Sequence, residues 1–158
     1  MAGYPDVAAK IDAFFARVEA RHGAAMQCHT GCSDCCHTTL SVTPVEAAAI
    51  RALVASWDSP AILREVGPHC AALDAAGRCK IYAARPFVCR SHGAPIRMRE
   101  GSLPVIRSCF KNFTEVAPDA DCILDQATLS ALTLAVNASV HADATSRIDL
   151  AELLASLC

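Results

Sequence analysis

The stretch CHTGCSDCCH, residues 28–37, places four cysteines and two histidines within ten positions. Its thiols follow the spacing Cys28-x3-Cys32-x2-Cys35-Cys36. The residues between them are mostly Gly, Ser, Asp and Thr, so we predict a loop here. Gaps of two or three residues let a loop curl several thiolates around one metal ion or cluster. The stretch therefore predicts a metal site rather than a set of core thiols.

Four further cysteines lie in the central part of the chain, and with the first group they make eight candidate metal ligands: Cys28, Cys32, Cys35, Cys36, Cys70, Cys79, Cys89 and Cys109. Cys122 and Cys158 stand apart, and we interpret them as core or surface thiols. The N-terminus lacks the basic and long apolar regions of a signal peptide, and no run approaches 18 apolar residues. We therefore expect a cytoplasmic protein without a membrane partner. In that compartment clustered cysteines serve more often as metal ligands or catalysts than as disulfides.

The fold is expected to be mainly α. The length of 158 residues predicts a single metal-binding domain over residues 1–158. We expect a small helical domain around an irregular cysteine-rich centre, stapled by a metal centre. Apolar spacing and capping signals predict helices over residues 6–22, from Thr43-Pro44-Val45-Glu46, from Ser59-Pro60, after Asp125 and across Ile148 to Leu157.

Helical periodicity fails between His69 and about Asn112. Asp74 to Gly77 is typical of a turn. The stretch PIRMREGSLPVIR, residues 95–107, predicts a short β-hairpin around Glu100-Gly101, and its prolines favour edge positions. The cysteines of the central part therefore lie mostly outside regular elements.

The neighbouring pair Cys35 and Cys36 bears on the kind of metal centre. We expect adjacent side chains to aim in different directions, so that both rarely reach one mononuclear ion. The pair then indicates a polynuclear cluster, two neighbouring sites, or one ligand beside a free thiol. On this ground we favour an iron–sulfur cluster over Zn(II), although eight thiols also fit two tetrahedral four-cysteine zinc sites.

A basic segment overlaps the second group of thiols. Residues 78–111 contain eight Lys or Arg and one acid, which gives +7, and the rest of the chain carries −9 to reach the net −2. Cations near thiolates stabilise the anionic site and lower thiol pKa values. The alternative use of such a segment is to bind phosphate or nucleic acid. Without interleaved aromatic residues or a recognisable module, we do not expect a nucleic-acid partner.

Two separated motifs together resemble a known family. The first is Cys28-x3-Cys32-x2-Cys35-Cys36, and the second is Cys70-AALDAAGR-Cys79-KIYAARPFV-Cys89-Arg90. They are similar to the zinc- or iron-chelating domain family, the CxxxCxxCC or YkgJ-like cysteine cluster proteins, over roughly residues 28–110. The resemblance implies a cysteine-bound metal centre, with Cys70 and Cys109 as flanking thiols. A related group is similar to flagellin lysine N-methylases, but this chain has no evident S-adenosylmethionine site.

Arg85 and Arg90 also match the family signature. Either guanidinium could donate hydrogen bonds to thiolate sulfur beside the cofactor, and the alternative for each is a structural salt bridge. His29, His37 and His92 adjoin cysteines or the second motif, and we expect them to be solvated or turn residues rather than ligands. Cys32-Ser-Asp-Cys35 lacks the βαβ context of a thioredoxin-like catalyst.

These patterns predict a metal-binding protein that holds an iron–sulfur cluster or zinc for electron transfer, metal or cluster handling, or redox sensing. Its partner would be an unidentified protein or redox protein. One alternative is a metal-dependent enzyme, or an enzyme accessory protein, that acts on a protein or small molecule. The other is a phosphate- or nucleic-acid-binding module that uses residues 78–111. No catalytic residue can be assigned from the sequence.

Overall fold

A computed structural model of the protein describes residues 3–29, 31–37, 39–58 and 69–157. Helices, including three short 3-10 helices, make up 45% of the described residues, which confirms the mainly α prediction. The helices are α1 (Tyr4–His22), α2 (Pro44–Ala55), α3 (Phe87–Ser91), α4 (Gln126–Ala138) and α5 (Leu150–Ala155). The strands are β1 (Ser41–Val42), β2 (Ile96–Glu100), β3 (Leu103–Arg107), β4 (Leu124–Asp125) and β5 (Ile148–Asp149). Among the described residues, no helix combines the length and apolar character needed to cross a membrane.

The chain divides into two compact units. Unit 1 comprises Met1–Cys28 and Phe87–Val136, and unit 2 comprises His29–Pro86 and Asn137–Cys158. Each unit therefore combines two distant parts of the sequence. The single domain over residues 1–158 stays a prediction.

Unit 1 is built on α1 and on the hairpin of β2 and β3. Proline at the first turn and an Asp6 carboxylate that accepts the Gly3 amide at 2.8 Å start α1 two residues before the predicted position. The hairpin pairs Ile96 with Arg107 through Glu100 with Leu103, as predicted, and β4 adds to β2 in parallel. Because the sheet order is β3-β2-β4, Pro104 lies on an edge strand, as its proline predicted.

Unit 2 is organised around one apolar core, with β1 and β5 paired antiparallel beside it. The predicted capping box at the start of α2 is confirmed. Glu46 accepts the backbone amide of Thr43 at 2.8 Å, and Thr43 Oγ1 accepts the amide of Glu46 at 3.4 Å. The core residues come from β1, α2, the Ala72–Ala84 region and α5: Val42, Ala47, Ile50, Val54, Ala72, Ile81, Ala84, Leu150, Leu153 and Leu154. Cys70 and Cys79 pack against this core, so the core helps to fix the positions of two candidate ligands.

Three elements differ from the sequence predictions. The helix α3, with Cys89 and Arg90, was not predicted, because its five residues are too few to show a period. The helix expected after Asp125 ends at Ala138, so that Val140, whose spacing would fit the apolar face of a longer helix, lies beyond its end and is 66% exposed. Ile148 belongs to β5 rather than to the last helix, which begins where Asp149 caps the Glu152 amide at 3.0 Å. The helix predicted from Ser59-Pro60 lies outside the described residues.

Candidate metal centre

Five of the eight candidate ligands belong to unit 2: Cys32, Cys35, Cys36, Cys70 and Cys79. The predicted loop folds into consecutive tight turns, closed by Cys32 N–H to the His29 carbonyl at 3.0 Å and Cys36 N–H to the Ser33 carbonyl at 2.8 Å. The amide of Cys70 then donates to the carbonyl of Cys36 at 2.7 Å. This bond joins two thiol-bearing segments that are far apart in the sequence.

The predicted turn after Leu73 lies against the same loop. Asp74 accepts the Arg78 amide at 2.8 Å, and these hydrogen bonds hold the pKa of its carboxyl below the usual range. Gly77 has φ +74°, and a Cβ there would lie 3.1 Å from Ser33 Oγ and 3.4 Å from the Gly31 carbonyl. Glycine at this position therefore permits both the turn and its close approach to the loop.

The sulfur atoms of Cys35 and Cys36 lie 4.0 Å apart. Our expectation that adjacent cysteines point apart is therefore wrong for this pair. The turn at residues 34–37 brings the two side chains to the same side, whereas an extended backbone would separate them. A tetrahedral zinc ion with Zn–S bonds of about 2.3 Å places its sulfurs about 3.8 Å apart, so the pair can serve one ion after small rotations.

Cys79 lies within electrostatic reach of two other thiols. Burial raises the pKa of the Cys79 thiol to about 11 from an ordinary 9.0, and the Ile81 amide lowers it. Negative charge on Cys70 and Cys35 raises this pKa further, while the Arg85 guanidinium lowers it. These interactions place Cys35, Cys70 and Cys79 in the same electrostatic surroundings. The approach of Cys35 to Cys36 and the backbone hydrogen bond from Cys70 to Cys36 connect Cys36 to them.

Arg85 is the basic residue that the structure links to this group. Its guanidinium lies 4.0 Å from the centre of the Tyr82 ring and donates to the Tyr82 carbonyl at 2.9 Å. This arrangement holds a positive charge near the Cys79 thiol. Elsewhere in the basic segment, Arg78 pairs with Asp74 at 2.9 Å and Arg107 pairs with Glu100 at 2.8 Å. Part of the +7 charge is therefore balanced by local acids.

The other three candidates, Cys28, Cys89 and Cys109, belong to unit 1. Cys28 Sγ accepts a hydrogen bond from Asn112 Nδ2 at 3.2 Å. Gly93 lies so close that a Cβ there would be 2.8 Å from this sulfur. Cys109 is buried, and its carbonyl accepts the Asn112 amide at 2.9 Å. Asn112 thus connects two of the three thiol-bearing segments in unit 1, a role that its sequence position did not indicate.

Arg90 lies among α1 residues. It is 5% exposed, bonds Asp12 at 2.6 Å, and donates to the Tyr4 hydroxyl at 3.4 Å. These contacts correspond to the salt-bridge alternative considered for this residue. The hydrogen bond from Arg90 to thiolate sulfur stays a prediction.

Two histidines adjoin the thiol group of unit 2. The rings of His37 and His69 meet edge to face, with centroids 4.3 Å apart. His37 follows Cys36 and His69 precedes Cys70, the two residues that the backbone hydrogen bond joins. The sequence predicted His37 to be a solvated or turn residue, and it did not predict a contact with His69. Each of these histidines is adjacent to a cysteine in the sequence, but that pattern predicts their contact only once the Cys36 and Cys70 segments are known to lie together.

The region that contains both cysteine motifs matches a family model. The family model described as "Putative zinc- or iron-chelating domain", CxxCxxCC, matches residues 27–116, which is more than half of the chain. Three residues rather than two separate Cys28 from Cys32 here. A comparison with curated proteins and one with solved structures each found no match. Because the match spans both cysteine motifs, the chain belongs to the family of zinc- or iron-chelating domains.

Proposed function

We propose that the protein binds one zinc ion through the thiolates of Cys35, Cys36, Cys70 and Cys79, and that it exchanges this ion with thiols of a partner protein. The 4.0 Å separation of the Cys35 and Cys36 sulfurs carries the proposal, and the backbone hydrogen bond from Cys70 to Cys36 and the electrostatic influence of Cys35 and Cys70 on Cys79 support it. When bound, zinc would join the three segments and withdraw the thiol protons. The residues of the chain hold the ion, and Arg85 offsets part of the negative charge of four thiolates.

The distance between Cys35 and Cys36 favours zinc over an iron–sulfur cluster. In a four-iron cluster each thiolate binds a different iron, so its sulfurs lie farther apart than on a single ion. The 4.0 Å separation is close to the edge of a ZnS4 tetrahedron. The preference for a cluster depended on the pair pointing apart, and that premise no longer applies.

Accessibility favours metal handling over a purely structural role. Cys35 is exposed, and Cys32, Cys36, Cys70 and Cys79 are each only partly buried. Thiolates open to solvent can be approached by the thiolates of another protein, which can take over a soft metal ion by ligand exchange. Cys32, a fifth thiol in the same loop, could accept the ion while another ligand leaves.

Metal and sulfide analysis of protein purified without air tests the binding site. We expect a colourless protein whose thiolate site holds one zinc tightly. This zinc should be lost in Cys70→Ser and Cys79→Ser and retained in Cys158→Ser, which removes a thiol outside the eight candidates. If the protein instead contains stoichiometric sulfide and absorbs broadly in the visible range, the metal centre is an iron–sulfur cluster and not zinc. If the purified protein contains no metal and still has its full native helicity, the proposal of a metal centre is wrong.

The rate of zinc transfer to a dithiol peptide tests the handling role. Direct ligand exchange makes the rate increase with peptide concentration, and Cys32→Ser should slow it. A structural ion would leave only by spontaneous dissociation. A transfer rate independent of peptide concentration would therefore contradict metal handling while leaving zinc binding intact.

A further inference from the structure

Three side chains of different zinc-ligand types meet at the C-terminal end of α1 in unit 1. A ring nitrogen of His22, a carboxylate oxygen of Asp119 and Sγ of Cys122 all lie within 4.8 Å of one another. We propose that they form a second metal site that takes one zinc ion. The site is separate from the eight candidate cysteines, and all three residues lie outside the matched residues 27–116.

The distance between the nitrogen and oxygen ligands suits a tetrahedral ion. His22 Nε2 and Asp119 Oδ2 are 3.3 Å apart. Zinc with Zn–N and Zn–O bonds of about 2.0–2.1 Å separates two such ligands by about 3.3 Å. The Cys122 sulfur has to approach by at most about 1.2 Å to complete three ligands, which is within the reach of a side-chain rotation.

The contact between His22 and Asp119 is one that a cation can bridge. The backbone amide of Asp119 donates to His22 Nε2 at 3.3 Å. The Asp119 carboxylate oxygen lies at the same distance from this nitrogen. A zinc ion between the two atoms would bind a lone pair of each.

The surrounding residues hold the site in place. The His22 side chain is 14% exposed and its ring meets Phe113 edge to face at 5.4 Å between centroids. Phe113 has φ 56°, an uncommon backbone conformation for a bulky residue, and its amide donates to the Ala25 carbonyl at 2.9 Å. Cys122 is fully buried and its amide closes a turn onto the Asp119 carbonyl at 2.9 Å. Since the Asp119 side chain is 57% exposed, an ion can enter from that side.

The local charges also suit a divalent cation. Arg21 lies 3.8 Å from Asp119 Oδ2, but its guanidinium binds both oxygens of Asp121 at 2.7 and 2.6 Å. Asp121 therefore balances Arg21. The Asp119 carboxylate and a Cys122 thiolate remain to balance zinc, and the thiol proton passes to solvent on binding. Three protein ligands leave one coordination position for water, the arrangement of an open zinc site.

Zinc uptake by the full-length protein at controlled free zinc tests this second site. We expect wild-type protein to bind one zinc beyond the thiolate centre, and Asp119→Asn or His22→Gln to weaken that extra zinc at least tenfold. Asp119→Asn changes an exposed side chain and should fold normally. Glu115→Gln, four positions before Asp119, removes an exposed carboxylate outside the ligand set; it is the matched control and should retain the extra zinc.

A second measurement separates this site from a structural ion pair beside a core thiol. With nitrogen-15-labelled histidine, zinc should shift the ring nitrogen signal of His22, identified by its loss in His22→Gln, in wild type and in Cys70→Ser alike. Zinc stoichiometry and affinity that are equal in wild type, Asp119→Asn and His22→Gln would overturn the proposal, as would an unchanged His22 signal at saturating zinc.

Discussion

The side-chain amide of Asn112 donates a hydrogen bond to the sulfur of Cys28 across 3.2 Å. The same nitrogen donates to the Gly93 carbonyl at 2.8 Å, and Asn112 Oδ1 accepts the Gln27 amide at 2.8 Å. Asn112 is 3% exposed, so these groups have little access to water. An amide that donates to sulfur favours the thiolate form, which is the form that binds metal.

Replacing Asn112 with Ala should destabilise the protein by about 2–4 kcal/mol, because three hydrogen bonds of a buried side chain are lost together. Urea unfolding of the metal-free protein measures the change. Gln27→Ala is the control, since only its backbone amide takes part and its side chain is exposed. If both variants unfold at the same urea concentration, the Asn112 contacts contribute nothing to stability.

Gly93 and Gly101 form a matched pair for a second prediction. Both have positive φ, at 100° and 61°, so an added Cβ strains either backbone. At Gly101 nothing lies within 4 Å of the added atom, whereas at Gly93 it would meet Cys28 Sγ at 2.8 Å.

Gly101→Ala should therefore cost about 1–2 kcal/mol, from backbone strain alone. Gly93→Ala should cost more, roughly 2–4 kcal/mol, because Cys28 must also leave the Asn112 amide. Thermal unfolding and the reactivity of Cys28 toward a thiol reagent measure the two effects. Equal losses of stability, with unchanged Cys28 reactivity, would show that the sulfur is not held in this position.

The sequence predicted features whose cause is local. The Thr43–Glu46 capping box and the hairpin turn at Gly101 depend on residues within a few positions, and both are confirmed. The turn at Asp74–Gly77 is local in the same way. The bond between the Cys36 and Cys70 segments and the 4.0 Å approach of Cys35 to Cys36 depend on long-range packing and on the exact loop backbone. Spacing could identify candidate thiols, but it could not group them.

The helix α3 and the two-residue strands illustrate the same limit. A five-residue helix shows little more than one turn, so hydrophobic periodicity cannot detect it. Strands such as β1 and β5 exist because Leu40 and Leu150 are brought together, where the Leu150 amide donates to the Leu40 carbonyl at 2.9 Å. The sequence could not decide whether Arg90 donates to thiolate sulfur or forms a salt bridge, because its partner Asp12 is remote in sequence.

The ion pair of Arg90 and Asp12 gives a third prediction. Arg90 is 5% exposed and Asp12 is 43% exposed, so removing the carboxylate leaves a mostly buried guanidinium with fewer partners. Asp12→Asn should cost about 1–3 kcal/mol, less than for a fully buried pair because Asp12 is open to water. Glu100→Gln, which breaks the exposed pair with Arg107, is the control and should cost at most about 1 kcal/mol. Denaturant unfolding compares them, and an equal cost would mean that burial of Arg90 adds nothing.

The raised pKa of Cys79 gives a fourth prediction, on pH. Its folded value of about 11 lies above the ordinary 9.0, chiefly because of burial, so the folded protein holds this proton more tightly than the unfolded chain. In metal-free protein the contribution of the Cys79 thiol is fully present below pH 9 and is lost as pH rises from 9 to 11. Two pKa units correspond to about 2–3 kcal/mol.

Subtracting the stability curve of Cys79→Ala from that of wild type isolates this effect, because the other thiols titrate in both proteins. The difference should be level below pH 9 and fall by about 2 kcal/mol toward pH 11. Zinc binding at pH 7 must displace the same proton. Calorimetry in two buffers of different ionisation enthalpy should therefore show a proton release on zinc addition to wild type that is reduced in Cys79→Ala, which loses the thiolate-bound zinc. A difference curve that stays level through pH 11, together with equal proton release, would mean that Cys79 is neither buried as a thiol nor a zinc ligand.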